Sequence, residues 1–200
     1  GWEIGEGSGW SLLDPYPDRY PALGYYHQDS AEILDWEIKF AVEHGIDFFN
    51  FCWYRWTSEE GDPPVVDWLS GAIHEGLLKA KYRDKFHFTI MWTIGHLKDA
   101  ISMQDLRENL LPFWQEHFFS NPSYLKIDNK PVLYIYEPKT YISKMGGEKQ
   151  AAAGLELIRS YCREQGFDGA WVIAEYRGAK QEDFKTIGSA GFDALYAYAY

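Results

Sequence analysis

Two glutamates of this chain follow apolar runs and sit beside tyrosines: Glu137 after Val132–Tyr136, and Glu175 before Tyr176, after Ala170–Ala174. Two carboxyls about 5–10 Å apart can cleave a glycosidic bond, one as acid and the other as base or nucleophile. Adjacent parallel strands meet that spacing, so the pair is geometrically allowed; for Glu137 the alternative is a glutamate in a salt bridge at the rim. Flat rings beside carboxylates suit a sugar, whose C–H faces pack on rings while its hydroxyls need hydrogen-bonding partners. Further rings cluster at other apolar-run ends: Trp53, Tyr54 and Trp56 around Arg55, and Trp92 with His96 four residues on. Tyr196, Tyr198 and Tyr200 alternate with alanines, which puts all three on one face of a strand.

Each candidate has a plainer reading. Strand alternation sends Trp53 and Arg55 one way and Tyr54 and Trp56 the other, as a sugar platform or as rings covering a rim. Arg55 reads first as the partner of a neighbouring carboxylate. Trp92 and His96 form a site pair, or Trp92 is core and His96 a solvated loop residue. The six histidines show no metal-ligand spacing, so no metal and no cofactor is assigned.

These strand ends need a scaffold. Gly45-Ile46-Asp47, Gly166-Phe167-Asp168 and Gly191-Phe192-Asp193 each close a helical stretch with glycine and open an apolar run. The aspartates then serve loop capping and turn geometry. Pattern and caps predict helices at 31–44, 66–82, 105–119 (broken or kinked at Pro112), 148–165 and 181–187, with strands at 46–53, 86–92, 132–136, 170–175 and from 194. Pro138 is read as a stop, Asp128-Asn129 as a small turn, and residues 1–28 as a long aromatic loop. Alternating strand and helix means a parallel sheet with crossover helices, either doubly wound or a (β/α)8 barrel. No glycine-rich phosphate loop follows a strand, which favours the barrel, and ligands of such folds sit at the carboxyl ends of the strands. Five strands are clear, so residues 1–200 are read as a single barrel domain truncated at both ends.

Composition narrows the partners. A formal net charge of −11 argues against nucleic acid, and no apolar run is long enough to span a bilayer. Part of the 18% aromatic content must be core, yet many rings fall next to polar residues at predicted strand ends. Cys52 and Cys162 are too few for a disulfide framework and read as two buried thiols.

The segments Phe167–Ala174 and Ala190–Tyr198 resemble the middle of glycoside hydrolase family 99, the endo-α-mannosidases and endo-α-mannanases. Pro131–Glu137 is similar to one of that family's barrel strands, where Asp usually replaces Glu137. Glu32–Trp56 and Tyr124–Val132 look closer still to the related WbsX-like proteins, often labelled glycosyltransferases. The resemblance implies a (β/α)8 barrel that cleaves α-mannosidic or related bonds with retention. It places Tyr136 and Glu137 along the substrate cleft and a tyrosine near the reacting sugar at Tyr198. It also implies paired catalytic glutamates in an Asn-Glu-Trp-x-Glu segment, absent here and expected beyond Tyr200. After Met91-Trp92 the chain has Thr93-Ile94-Gly95-His96 where WbsX relatives continue Asn-Glu-Asn-Trp, so substrate preference there departs from the pattern.

Three functions follow: a retaining, endo-acting glycosidase; a WbsX-like glycan-assembly protein; or a non-catalytic carbohydrate-binding barrel. All take a carbohydrate partner. Export to the periplasm or medium follows from that substrate class alone.

Overall fold

The computed structural model describes residues 15–56, 65–94, 101–178 and 180–197. Helix α1 (Ala31–Glu43) begins where the Ser30 hydroxyl accepts the Ile33 amide at 3.4 Å. Then come β1 (Phe48–Trp56), β2 (Val66–Trp68), β3 (His87–Thr93), α2 (Met103–Asp105), α3 (Leu111–Trp114), β4 (Lys126–Ile127) and β5 (Lys130–Tyr136). Helices α4 (Pro138–Lys144) and α5 (Glu148–Glu164), β6 (Trp171–Glu175), α6 (Gln181–Ser189) and β7 (Ala194–Tyr196) complete the described chain. Gly45, Gly166 and Gly191 all lie at φ between 73° and 91°, the left-handed turn that the recurring Gly-apolar-Asp entry requires.

The strands form one sheet ordered β2-β1-β3-β5-β6-β7, with β4 paired to β5 alone. Strands β3, β5, β6 and β7 are parallel neighbours, whereas β2 on β1 and β4 on β5 are antiparallel. Asp128 and Asn129, at φ 51° and 55°, make the two-residue turn between β4 and β5. Two positive φ angles match the turn whose twist suits a hairpin.

The chain divides into two compact units. The first comprises the described residues up to Phe48 together with Leu69–His87. Its interior joins Leu34, Ile38 and Ala41 of α1 to Ile73, Leu77 and Ala80. Gly76 permits the close approach, since a Cβ there would lie 2.9 Å from Leu34 Cδ2. The second unit holds Phe49–Trp68 and Phe88 onward, hence nearly all of the sheet. Its helix-covered face is aromatic: Trp53 lies edge-on to Trp114 at 5.6 Å, and Trp92 contacts Trp114 at 5.1 Å and Tyr141 at 6.2 Å.

Four local expectations change. Residues 66–82 are not one helix: Val66–Trp68 pair with Tyr54–Trp56 as β2, followed by short helical turns at Ala72–Gly76 and Leu77–Lys79. A β-branched and an aromatic residue beside an open strand edge outweigh a helical pattern already weakened by Gly71 and Gly76. The helical stretch 103–119 runs through Pro112, because wide π-type turns at Leu106–Leu110 and Gln115–Phe119 flank α3 and absorb the missing N–H. Pro138 opens α4 rather than only ending β5; at the first helical position its lacking N–H costs nothing. Cys162 is buried, as read, with burial pushing its thiol up to about 12, but Cys52 is half-exposed.

Gly154 of α5 faces Tyr141, whose hydroxyl donates to the Ala151 carbonyl at 3.2 Å. A Cβ at 154 would meet that hydroxyl at 2.5 Å and Met145 Cε at 2.6 Å. Gly154→Ala gains about 1 kcal/mol of helix propensity but incurs overpacking of about 1–3 kcal/mol plus the strained hydrogen bond. Urea unfolding is expected to show a net loss of about 1–2 kcal/mol; a gain would mean that Tyr141 moves aside freely.

Candidate functional site

The sheet face opposite the aromatic layer carries a row of side chains at the carboxyl ends of the strands. Parallel register aligns Thr93 with Tyr136, Ile135 with Ala174 and Glu175 with Tyr196, so Thr93, Tyr136, Glu175 and Tyr196 follow one another across four strands. Tyr54 on β1 extends the row through its hydroxyl, which contacts both Thr93 and Cys52. Burial above all, and then Cys52, push the Tyr54 phenol above its usual value, so it stays a neutral donor. From this row the Tyr196 ring meets Tyr134, one layer below, edge to face at 5.0 Å, and its hydroxyl lies 3.0 Å from Met91 Sδ.

Arg177 organises the end of β6. Its Nε donates to Glu175 Oε1 at 2.8 Å, its Nη2 donates to the Tyr136 hydroxyl, and its guanidinium lies 5.1 Å from the centre of the Tyr136 ring. Glu175 is 2% exposed, while the Arg177 side chain is 35% exposed. A buried carboxylate thus anchors a cation that reaches the surface, and the cation in turn fixes a ring. Sequence reading missed Arg177, although a residue two beyond a strand-end acid returns to the same side of an extended chain.

These groups wall a cavity of about 470 Å³ whose lining includes Tyr136, Glu137, Lys139, Glu175, Tyr176 and Arg177. That volume suits a small-molecule site. On its far rim the Tyr176 hydroxyl donates to Asp183 Oδ2, and Lys139 Nζ reaches Asp183 Oδ1 at 3.0 Å. These two donors, the Tyr176 hydroxyl first, hold the Asp183 carboxyl below its usual range. Gly178 lets the Tyr176 ring fold back over the chain, for a Cβ there would fall 2.0 Å from the Tyr176 hydroxyl. Asp183 of α6 is therefore tied to both the loop after β6 and α4.

Glu137 enters the cavity at φ 57°, ψ 68°, a left-handed conformation that a glutamate adopts only at a cost of about 1–2 kcal/mol. Its exposed carboxylate accepts from Thr140 Oγ1 at 3.3 Å. Strain of this kind gathers at functional sites. Glu137→Gly removes the clash but frees the unfolded chain, so a net stabilisation of about 0.5–1 kcal/mol is expected in urea. A destabilised glycine variant would show that the carboxylate earns its place by folding rather than by function.

Of the residues singled out in the sequence, Tyr136, Glu137 and Glu175 come together, with Tyr54 at the start of the same row. Among the described residues Glu137 forms no rim salt bridge of the kind its plainer reading expects, whereas Glu175 pairs with Arg177 at 2.8 Å. Trp53 and Trp92, both 0% exposed, belong to the aromatic layer under the helices and present no face to a ligand. The alternation that groups Trp53 with Arg55 could not tell which face of the sheet the helices cover. His96 and Tyr198 lie outside the described residues. Among the described residues no group of three or more His, Cys, Asp or Glu side chains could hold a metal ion, and no helix is long and apolar enough to cross a membrane.

The chain resembles solved structures at low identity. An endo-α-mannosidase of glycoside hydrolase family 99 from Bacteroides thetaiotaomicron superposes with a TM-score of 0.63 at 18% identity, over 90% of this chain and 47% of that one. The same organism's family 99 endo-α-mannosidase in complex with bis-tris-propane gives 0.61 at 17% identity, over 90% and 50%. A protein described as glycoside hydrolase-like gives 0.66 at 15% identity, over 90% and 53%. The chain spans about half the length of these structures, so its alternating strands and helices are part of a family 99-type α/β barrel. No curated protein matches the sequence. The family model described as glycosyltransferase WbsX matches residues 14–199, so the chain belongs to the WbsX family, with glycoside hydrolase family 99 as its structural kin.

Proposed function

We propose that the whole protein is a glycosidase, retaining and endo-acting on α-mannosidic or related linkages of a polysaccharide or glycan. The observation that carries this reading is the row Tyr54, Tyr136, Glu175 and Tyr196, with Arg177 standing over Tyr136. It lies where parallel α/β folds bind ligands, and it offers rings for C–H faces beside charged hydrogen-bonding groups. The likeness to endo-α-mannosidases suggests the bond type.

In this reading Tyr136 supplies the stacking face, Arg177 donates to sugar oxygens, and Glu137 accepts from sugar hydroxyls. Tyr198 and His96, outside the described residues, are assigned to sugar binding on the sequence and its family resemblance alone. The acid–base pair is assigned to no residue of this chain, and Glu175 acts through Arg177 rather than on the bond itself. The test is incubation of the full-length protein with α-mannan and α-1,2-mannosyl oligosaccharides. Endo-cleavage with retained configuration supports the proposal, and absence of cleavage of any α-mannoside overturns it.

The family's description favours one rival, transfer from a nucleotide-sugar donor in glycan assembly. Such a donor needs a cradle for its phosphates, and no strand of this chain leads into a glycine-rich loop. Calorimetry distinguishes the two: binding of a nucleoside diphosphate sugar would favour transfer, and no heat at millimolar donor would dismiss it.

A further inference from the structure

The first unit carries a second concave site, on the outward face of α1. Leu34, Ile38 and Ala41 fill the inner face of that helix, which leaves Trp36 and Phe40 on the other, 47% and 42% exposed. Their rings tilt together at 5.7 Å. Tyr82, 42% exposed, is brought beside them because Asp35 Oδ1 accepts its backbone N–H at 2.9 Å. The result is a cavity of about 340 Å³ lined by Glu32, Asp35, Trp36, Lys39, Lys81 and Tyr82.

We propose that this cavity is a secondary carbohydrate-binding site, for a neutral sugar unit of a polysaccharide chain. A lone exposed ring needs no explanation, but an indole and a phenol pinned on one wall by a side chain-to-backbone bond are a built arrangement. Two carboxylates and two ammonium groups line the cavity, and Lys39 Nζ is also held by Glu43 at 2.8 Å, so neither sign of charge dominates at the rings. An anionic ligand would meet Glu32 and Asp35, and a quaternary ammonium, the usual guest of aromatic walls, would meet Lys39 and Lys81. A neutral pyranose conflicts with neither. Its C–H face covers the indole while its hydroxyls donate to the carboxylates and accept from the lysines. Glu32 is prepared as an acceptor, since its own backbone N–H and then the Ser30 hydroxyl hold its carboxyl below the usual range. The lysine stems approach the rings, with Lys39 Nζ 5.8 Å from the Trp36 centre and Lys81 Nζ 5.1 Å from that of Tyr82. Both ammonium groups therefore stand near a stacked sugar's oxygens.

This inference rests on the reading of the protein as carbohydrate-active, and it deepens that reading from one binding site to two. The test is affinity electrophoresis of the full-length protein through gels containing α-mannan, with β-glucan and galactan gels as alternatives. Trp36→Ala and Tyr82→Ala are run beside the wild type, their folding checked by circular dichroism. Retardation of the wild type that falls at least threefold in Trp36→Ala supports the site. Unchanged retardation in both variants, or none of the wild type in any gel, overturns it. Cleavage of a short α-mannosyl oligosaccharide is measured in parallel and should be equal in wild type and Trp36→Ala. Loss of retardation without cleavage by the wild type would keep this site and sink the glycosidase. Cleavage with unchanged retardation would do the reverse.

Discussion

Glu175→Gln in the full-length protein is expected to lower kcat/KM on α-mannosides by about 100- to 1,000-fold, the loss typical of one preorganised electrostatic group. The amide is nearly the same size, so packing at this 2% exposed position is preserved while the charge is lost. Arg177 then keeps its contact with Tyr136 but loses the anion that fixes its Nε edge. Because the Arg177 side chain is 35% exposed, water replaces part of the lost interaction, and the melting temperature should fall by only a few degrees. Arg177→Lys should lose nearly as much activity, since a lysine cannot hold a carboxylate and a phenol at once with planar geometry. Full activity in Glu175→Gln would remove this row from the mechanism.

How much of this could be read beforehand depends on which physical signal each residue leaves. The helix-to-strand turns were legible because a left-handed backbone asks for glycine, and Gly45, Gly166 and Gly191 supply it. Tyr136, Glu137 and Glu175 were legible as strand ends, since apolar runs stop at them. The sense in which each strand faces was not: Trp53 and Tyr54 are equally aromatic neighbours, and only the helix stacked on β1 decides that Trp53 is core. Helix 103–119 does so with Phe113, Trp114 and Phe118, none of which is near Trp53 in sequence. Strain at Glu137 was equally hidden, because a left-handed glutamate has no sequence signature, and its φ of 57° is fixed by α4 starting at the very next residue.

Asp105→Ala is the substitution expected to harm folding most. Asp105 receives Arg55 Nη1 and, at 2.7 Å, Asn109 Nδ2, and its own N–H donates to the Ser102 hydroxyl at 2.9 Å. Arg55 and Asp105 are 5% and 4% exposed, so each is paired away from water. Removing the acid takes a carboxylate partner from a buried guanidinium, and breaking such a pair costs about 3–5 kcal/mol. Replacing both partners with apolar residues of similar volume, as Arg55→Met with Asp105→Leu, removes the charge along with its need for a partner. Urea unfolding should therefore show most of the loss recovered in the double variant, with a coupling of about 2 kcal/mol or more. Additive single effects would mean that the two groups do not depend on each other. The consequence reaches the cleft by geometry: Arg55 follows Tyr54 on β1 and points to the opposite face, so the ion pair that holds one against the 103–119 helix holds the other in line with Thr93 and Tyr136. The double variant, stable but without the charged clamp, should on this account keep its fold and still bind carbohydrate, whereas Asp105→Ala should lose both together.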